Sequence, residues 1–213
     1  MIRYVSFDLD GTLADLNFET LVWRKEIPRL YAEQYGLSFN EALQFVNREF
    51  AAVGDERVEW YDIRHWFRRF KLKADPLEAL RDVSHVIRLY PDTLPALEKL
   101  GKQFPLIVIS NATRDFIQFK IRVDGLQAHF QHVYSLPTDF KALKHQGFQC
   151  VLDQLNIQPH ELVHVGDHWE FDYQIPRKVG VHAFYLDRKK EKKGEHVLFT
   201  LEEFASRVLS ASK

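Results

Sequence analysis

The sequence has a single cysteine, Cys150, in 213 residues. One thiol cannot form an intrachain disulfide, and it leaves too few sulfur ligands for a cysteine-rich metal site. The 10 histidines form no His-Glu-x-x-His motif, so they do not predict a zinc site either. So little cysteine is typical of proteins from a reducing compartment.

Long hydrophobic runs are also missing. Nowhere do about 18 apolar residues follow one another, which is the length that a membrane-spanning helix needs. The first residues reach Asp8 before the apolar region of a signal peptide can form. We therefore expect a cytoplasmic protein with no membrane partner.

Neither sign of charge is in excess, because 29 Lys and Arg residues are balanced by 30 Asp and Glu residues. A nucleic acid would therefore need a local basic patch. Residues 64–73 are the candidate, since they carry several Lys and Arg residues between aromatic ones. We favour instead a helix that buries Ile63, Trp66, Phe67 and Phe70 and leaves its basic residues in water or facing an anionic substrate. Nucleic acid is not the expected partner.

Apolar and aromatic residues are abundant. The chain is 46% hydrophobic and contains 17 Phe, 8 Tyr and 4 Trp residues. Burying this surface can offset the entropy lost when a chain of this length folds. The length suits one domain, or a core domain that carries a small insert.

Short apolar runs predict the strands of a sheet, at residues 2–7, 106–109, 132–134, 162–165 and 181–186. Helical periodicity lies between or after the later runs, around residues 92–103, 113–122, 145–156 and 170–179. This alternation predicts an α/β fold with a doubly wound, mostly parallel sheet. In such sheets, ligands bind beyond the carboxyl ends of the strands.

Residues 15–90 interrupt the alternation. They contain apolar residues at helical spacing and no strand-like run. The sequence therefore predicts a helical insert of residues 15–90 in an α/β core that consists of residues 1–14 and 91–213.

Polar residues follow several of the predicted strands. Asp8 and Asp10 come directly after the first strand, Ser110 and Asn111 after the second, and Asp167 after the fourth. Because the carboxyl ends of parallel strands meet at one edge, these side chains are expected to share a site. Paired acids there suggest metal binding, nucleophilic catalysis or both.

The motifs together resemble the haloacid dehalogenase-like hydrolase superfamily. They are Asp8-Leu9-Asp10-Gly11-Thr12, Ser110-Asn111, a downstream lysine, and Gly166-Asp167 followed by Asp172. The resemblance spans the chain from Phe7 to Asp172, and it implies a Rossmann-like core with a helical cap domain inserted after the first motif. It also implies that residues 15–90 are that cap.

The resemblance implies a role for each of these residues. Asp8 is the nucleophile, and Asp10 is the general acid and then the general base. Mg²⁺ is bound by the Asp8 carboxylate, the Asp10 main-chain carbonyl and Asp167, with Asp172 supporting the metal or the lysine. The phosphate is bound by the Ser110 side chain, by backbone groups near Asn111, Gly11 and Thr12, and by the lysine.

The lysine of the motif has two candidates, Lys141 and Lys144. The spacing to Asp167 favours Lys144, because the lysine then opens the helix that precedes the fourth strand. Lys141 is the second choice, and the one that is not used is expected to be a solvated surface residue.

The resemblance implies Mg²⁺-dependent hydrolysis of a small phosphorylated metabolite through an aspartyl-phosphate. Alternatives are a 2-haloacid dehalogenase, a phosphonate hydrolase, or a non-catalytic binding protein on the same fold. Asp10 favours phosphate chemistry, because a halide leaving group needs no proton. A monomer and a homodimer remain open.

Overall fold

A six-stranded parallel sheet lies at the centre of the computed structural model, which describes residues 1–211. Its spatial order is β3-β2-β1-β4-β5-β6, and every pairing is parallel. The strands are β1 (Tyr4–Phe7), β2 (Leu106–Ser110), β3 (His132–Ser135), β4 (Leu162–Gly166), β5 (His182–Leu186) and β6 (Val197–Leu198). The predicted doubly wound, Rossmann-like α/β fold is confirmed.

The structure contains eleven α-helices within residues 1–211. They are α1 (Asn17–Leu21), α2 (Ile27–Tyr35), α3 (Phe39–Val53), α4 (Ile63–Arg69), α5 (Pro76–Val83), α6 (Thr93–Gly101), α7 (Arg114–Lys120), α8 (Leu136–Asp139), α9 (Lys144–Leu155), α10 (Ile175–Lys178) and α11 (Leu201–Ala211). Short 3-10 segments are Val58–Tyr61, Ser84–Val86, Val123–His129 and Pro159–Glu161, and π-helical segments are Val22–Glu26 and Trp169–Gln174. None of these helices is both long and apolar enough to cross a bilayer.

Strand alternation explains why helices cover both faces of the sheet. Leu106 and Val108 of β2 join a cluster with α6 and α11, whereas Ile107 and Ile109 join a second cluster with α9. Successive side chains of a strand point to opposite faces, so a wholly apolar strand such as β2 needs cover on both sides.

The regular structure described between Asn17 and Val86 is helical, as the sequence predicts. A third apolar cluster holds these helices together and includes Phe116 of α7 in the core. The chain leaves the core and returns to it at one place, where Asp15 N donates to Arg88 O at 2.9 Å and Tyr90 N donates to Leu13 O at 3.0 Å. The boundaries of a cap domain at residues 15–90 stay a prediction.

The basic stretch at 64–73 has an ordinary structural explanation. Ile63, Trp66, Phe67 and Phe70 are buried, as expected. Its arginines contact acids, and two of these ion pairs are Arg64–Asp115 at 2.5 Å and Arg69–Glu49 at 2.7 Å.

Two elements differ from the prediction. The helix expected around residues 170–179 begins as the π-helical segment Trp169–Gln174 and becomes α-helical only at α10. Pro176 has no amide hydrogen and cannot continue the bonding of the preceding turn, so it lies at the start of a new helix. The strand β6 has only two residues, too few for a pattern to be recognised.

Candidate active site

The carboxyl ends of β1, β2 and β4 meet at one cavity of about 310 Å³. In the registers on either side of β1, Phe7 is opposite Val108 and Val165, so the residues that follow these strands come together. The core contributes Asp8, Asp10, Ser110, Asn111, Ala112, Phe116, Lys120, Lys144, Asp167, His168, Phe171 and Asp172 to the cavity wall. The segment of residues 15–90 contributes Leu16, Glu19, Trp23, Asp55, Trp60 and Tyr61.

Lys144 joins two of the predicted acids. Its Nζ lies 2.5 Å from Asp8 Oδ1 and also donates to Asp172 Oδ1. Lys144 is 2% exposed and is the first residue of α9. Asn111 Oδ1 accepts a hydrogen bond from Lys144 N at 3.0 Å, so the residue after β2 fixes where this helix begins. The lysine is thereby aimed at the end of β1.

The pKa values of Asp8 and Lys144 are both raised, but for different reasons. Burial raises the pKa of Asp8 to about 7, the Lys144 charge opposes this, and the charges of Asp172 and Asp10 add to it. Burial lowers the pKa of Lys144, but the charges of Asp172 and Asp8 outweigh burial and hold it above its usual value. Lys144 therefore keeps its positive charge.

Asp172 is held by three donors. Lys144 Nζ and His164 Nε2, the latter at 3.1 Å, reach its Oδ1, and His168 N lies 2.9 Å from its Oδ2. Burial raises the pKa of Asp172, but the Lys144 charge and the hydrogen bond from His164 hold it well below its usual value. Because a carboxylate only accepts, the proton of His164 is on Nε2, and the Ser6 hydroxyl lies 2.8 Å from Nδ1. This buried network keeps Asp172 anionic and Lys144 in place.

Gly11 permits the close approach of Asp167. The backbone of Gly11 has φ +78°, and a Cβ added there would overlap the Asp167 carboxylate. Both features require glycine. The loop after β1 and the loop after β4 can therefore pack against each other at the acids.

Three acids form a group that fits a magnesium ion. Oxygen atoms of Asp8, Asp167 and Asp172 lie within 4.8 Å of one another. Burial and the Asp8 charge hold the pKa of Asp167 well above its usual value, which is the electrostatic cost of crowding these carboxylates. Carboxylate oxygens are the hard ligands that Mg²⁺ prefers. The Asp10 side chain is not in this group, so its part in metal binding stays the predicted main-chain carbonyl.

Sequence reasoning missed Lys120. This residue of α7 is fully buried, and its Nζ contacts Asp10 Oδ1 and Glu19 Oε1. Its burial could have been predicted from its spacing, because Phe116 and Ile117 lie four and three positions before it, and residues at these spacings share one helix face. Sequence reasoning also missed Glu19, which lines the cavity from α1, and His164, which is hidden within the apolar run of β4.

Three predicted phosphate-binding residues, Gly11, Thr12 and Lys141, are not among the residues that line the cavity. Lys141 is exposed and has φ +55°, and the left-handed turn that it makes before α9 places it beside two other surface clefts. Thr12 is buried outside the wall, and its carbonyl accepts from Arg188 at 2.7 Å. Of the two lysine candidates, the structure places only Lys144 at the acids.

Trp23, Phe116 and Trp60 form an aromatic wall of the cavity. Trp23 is stacked on Phe116 with ring centroids 5.2 Å apart, and it also meets Trp60 at 6.1 Å. Burial raises the pKa of the neighbouring Tyr61 to about 12. A molecule held by the acids in this cavity would therefore also meet an aromatic surface.

Comparisons with known proteins agree with this architecture. Residues 2–180 match the family model described as haloacid dehalogenase-like hydrolase. A solved structure described as a HAD phosphatase from Thermococcus onnurineus has a TM-score of 0.85 and 25% identity, covering 97% of this chain and 98% of that one. L-2-haloacid dehalogenase from Xanthobacter autotrophicus shares the fold at a TM-score of 0.64 and 16% identity, covering 98% and 99%.

Curated relatives carry several activities in their names. GMP/IMP nucleotidase YrfG of Escherichia coli K12 is 29% identical over 149 residues, which cover 66% of this chain and 65% of that protein. Pyrophosphatase PpaX of Bacillus pumilus is 28% identical over 175 residues, covering 79% and 76%. The match thus spans slightly less than two thirds of the nucleotidase, and the names differ in substrate. The family match, which covers most of the chain, shows that the protein belongs to the haloacid dehalogenase-like hydrolases.

Proposed function

We propose that this protein is a Mg²⁺-dependent phosphomonoester hydrolase that uses Asp8 as its nucleophile. The observation that carries the proposal concerns the two acids that follow β1. Asp8 is paired with the buried Lys144, and Asp10 is paired with the buried Lys120. Asp8 is thus supported within the acidic group, whereas the Asp10 side chain lines the cavity outside that group. This asymmetry suits two different roles in one reaction.

In the first step, an oxygen of Asp8 attacks phosphorus and forms a P–O bond while the ester P–O bond breaks. Asp10, as the carboxylic acid, gives its proton to the departing oxygen. The Lys144 ammonium and the Ser110 hydroxyl stabilise the charge on the phosphoryl oxygens. The product is an alcohol and an aspartyl-phosphate on Asp8.

In the second step, water attacks the phosphorus of the aspartyl-phosphate. Asp10, now a carboxylate, takes a proton from this water, and the bond between phosphorus and the Asp8 oxygen breaks. Inorganic phosphate leaves, and both acids return to their starting states.

Asp8, Asp167 and Asp172, with the Asp10 carbonyl, are the residues that would hold Mg²⁺. A bound Mg²⁺ neutralises the repulsion between the anionic site and the phosphate. Lys144 and the hydrogen bonds to Asp172 keep these carboxylates oriented. Residues that bind a metal directly usually depend on such hydrogen-bond partners for their position.

The charges around the cavity favour a leaving group that is neutral or cationic. The described lining residues within 15–90 include two acids, Glu19 and Asp55, and no Lys or Arg. Trp23 and Trp60 add flat aromatic surface on which a planar group can stack. We therefore propose nucleoside monophosphates as the first substrate class to test, in line with the name of the E. coli relative. Pyrophosphate, whose leaving group is anionic, suits this wall poorly.

We also propose that residues 15–90 act as a cap that closes over the core of residues 1–14 and 91–213 and excludes water. Trp23, Trp60 and Glu19 line the cavity from this segment, which supports the assignment. Cytoplasmic location and the choice between monomer and homodimer stay predictions.

The test is phosphate release from 4-nitrophenyl phosphate, GMP and pyrophosphate, with Mg²⁺ and with a chelator. We expect metal-dependent release, abolished by Asp8→Asn, with GMP preferred over pyrophosphate. Halide release from 2-chloropropionate in place of phosphate release would favour the dehalogenase alternative, and Asp8→Asn activity equal to that of the native chain would refute the proposal.

A further inference from the structure

Lys120 is a buried cation that the two chemical steps do not use. Its side chain is 1% exposed, and it extends from α7 beneath the aromatic wall. The Nζ lies 5.6 Å from the ring centroid of Phe18 and 5.5 Å from that of Phe116. A lysine is rarely buried to this extent unless it is paired, so its partners indicate why it is there.

Those partners come from different parts of the chain. Asp10 lies in the loop after β1, Lys120 lies on a core helix, and Glu19 lies on α1 in the segment between β1 and α6. The ammonium therefore forms an ionic bridge from the acid–base residue to the helical segment over the site. Arg64 and Asp115 form another ion pair between this segment and α7, but that pair lies at the surface.

The contact with Asp10 is specific to one oxygen. Lys120 Nζ donates to Asp10 Oδ1. An oxygen that accepts from an ammonium is a poor place for a proton, so the proton of the acid form is placed on Oδ2. Lys120 can thus select which oxygen of Asp10 gives the proton.

We propose that Lys120 is a positioning residue that orients Asp10 toward the leaving-group oxygen, and that Glu19 fixes Lys120 from the helical segment. Asp10 is then aligned for proton transfer only when this segment covers the site. The inference rests on the proposed phosphatase function. Misplacing a catalytic group by about 1 Å can cost roughly 100-fold in rate, so such a bridge can control turnover.

The experiment compares kcat/KM for two aryl phosphates. Phenyl phosphate has a basic leaving oxygen that needs the Asp10 proton, whereas 4-nitrophenolate leaves without one. We expect Lys120→Met to lower kcat/KM for phenyl phosphate by about 100-fold and that for 4-nitrophenyl phosphate by less than about 10-fold. Asp10→Asn should give the same selective loss, and Lys102→Met, which changes an exposed lysine, should leave both values unchanged.

If Lys120 had a merely structural role, Lys120→Met would lower kcat/KM equally for both substrates, and this result would overturn the inference. Removal of a buried cation can unfold a protein, so Glu19→Gln provides a second test of the inference. It leaves Lys120 and Asp10 in place, and we expect a selective loss for phenyl phosphate of about 3- to 10-fold. An unchanged ratio of the two substrates in Glu19→Gln would overturn the role of the helical segment.

Asp8→Asn separates this inference from the proposed function. If Asp8→Asn retains full hydrolysis, the proposed function fails and the inference fails with it. If Asp8→Asn is inactive and Lys120→Met keeps the native ratio of the two substrates, only the inference is wrong. Partial recovery of that ratio in Lys120→Arg, which retains the positive charge, would support it further.

Discussion

The side chain of Asn111 accepts a hydrogen bond from the backbone amide of Lys144 across 3.0 Å. The first turn of a helix has amides without partners inside the helix, and Asn111 satisfies one of them from the end of β2. The start of α9 and the position of the lysine beside Asp8 are therefore coupled to the central strands.

Asn111→Ala should leave the buried amide of Lys144 without its partner. We expect a loss of about 1–3 kcal/mol in the free energy of unfolding. Activity should also fall, because Lys144 loses the contact that fixes its starting position. Urea unfolding and phosphate release measure the two effects, and a variant with native stability and native activity would contradict the role assigned to Asn111.

The two lysine candidates should separate by mutation. Lys144→Ala removes the cation between Asp8 and Asp172 and should lower kcat by about 100- to 1000-fold. Lys141→Ala changes an exposed residue away from the cavity wall and should leave kcat within about twofold. Steady-state kinetics of both variants test this, and the opposite pattern would restore Lys141 as the lysine of the motif.

A matched pair of glycines tests the packing of the two loops. Gly11 and Gly54 both have φ +78°, but an added Cβ overlaps Asp167 at Gly11 and meets nothing within 4 Å at Gly54. Alanine should cost about 1 kcal/mol or more at each site from the backbone conformation. Only Gly11→Ala should also weaken Mg²⁺ binding, which titration calorimetry can measure. Equal Mg²⁺ affinity in the two variants would show that the contact with Asp167 is unimportant.

Magnesium should stabilise the folded protein, because it relieves the crowding of Asp8, Asp167 and Asp172. At about 100 times its Kd, the ion should add about 2.7 kcal/mol to the free energy of unfolding. Thermal unfolding with Mg²⁺, and with NaCl at equal ionic strength, measures this effect. Asp167→Asn should lose most of it. A melting temperature that does not respond to Mg²⁺ would argue against a metal site at these acids.

Short-range sequence patterns were sufficient to predict the sheet and the alternation of strands and helices along the chain. The apolar run that became β2 and the buried face of α9, with Phe148, Val151 and Leu152, could be predicted because periodicity and burial are local properties. The acids at the strand ends could be located for the same reason, since parallel strands bring their carboxyl ends together.

The ionic contacts could not be predicted in the same way. Whether a lysine is buried depends on which acids reach it from distant parts of the chain, and Lys120 is 110 residues from Asp10. The helical spacing of Lys120 indicates the buried face of its helix. Burial of a cation there can be predicted only when its acidic partners are known. The left-handed conformation of Lys141 is likewise set by the turn before α9, which no periodicity indicates.

The central claim, that Asp8 carries the phosphoryl group, can be tested by trapping it. In Asp10→Asn, the residue that takes the proton of the attacking water is missing, so the aspartyl-phosphate should accumulate. The variant is mixed with 4-nitrophenyl phosphate and Mg²⁺, quenched in acid and digested for mass spectrometry. The account predicts one phosphoryl group on the peptide that contains Asp8, and none when Asp8 is also changed to Asn. Release of 4-nitrophenolate with no phosphorylated peptide, or with the phosphoryl group on another residue, would contradict it.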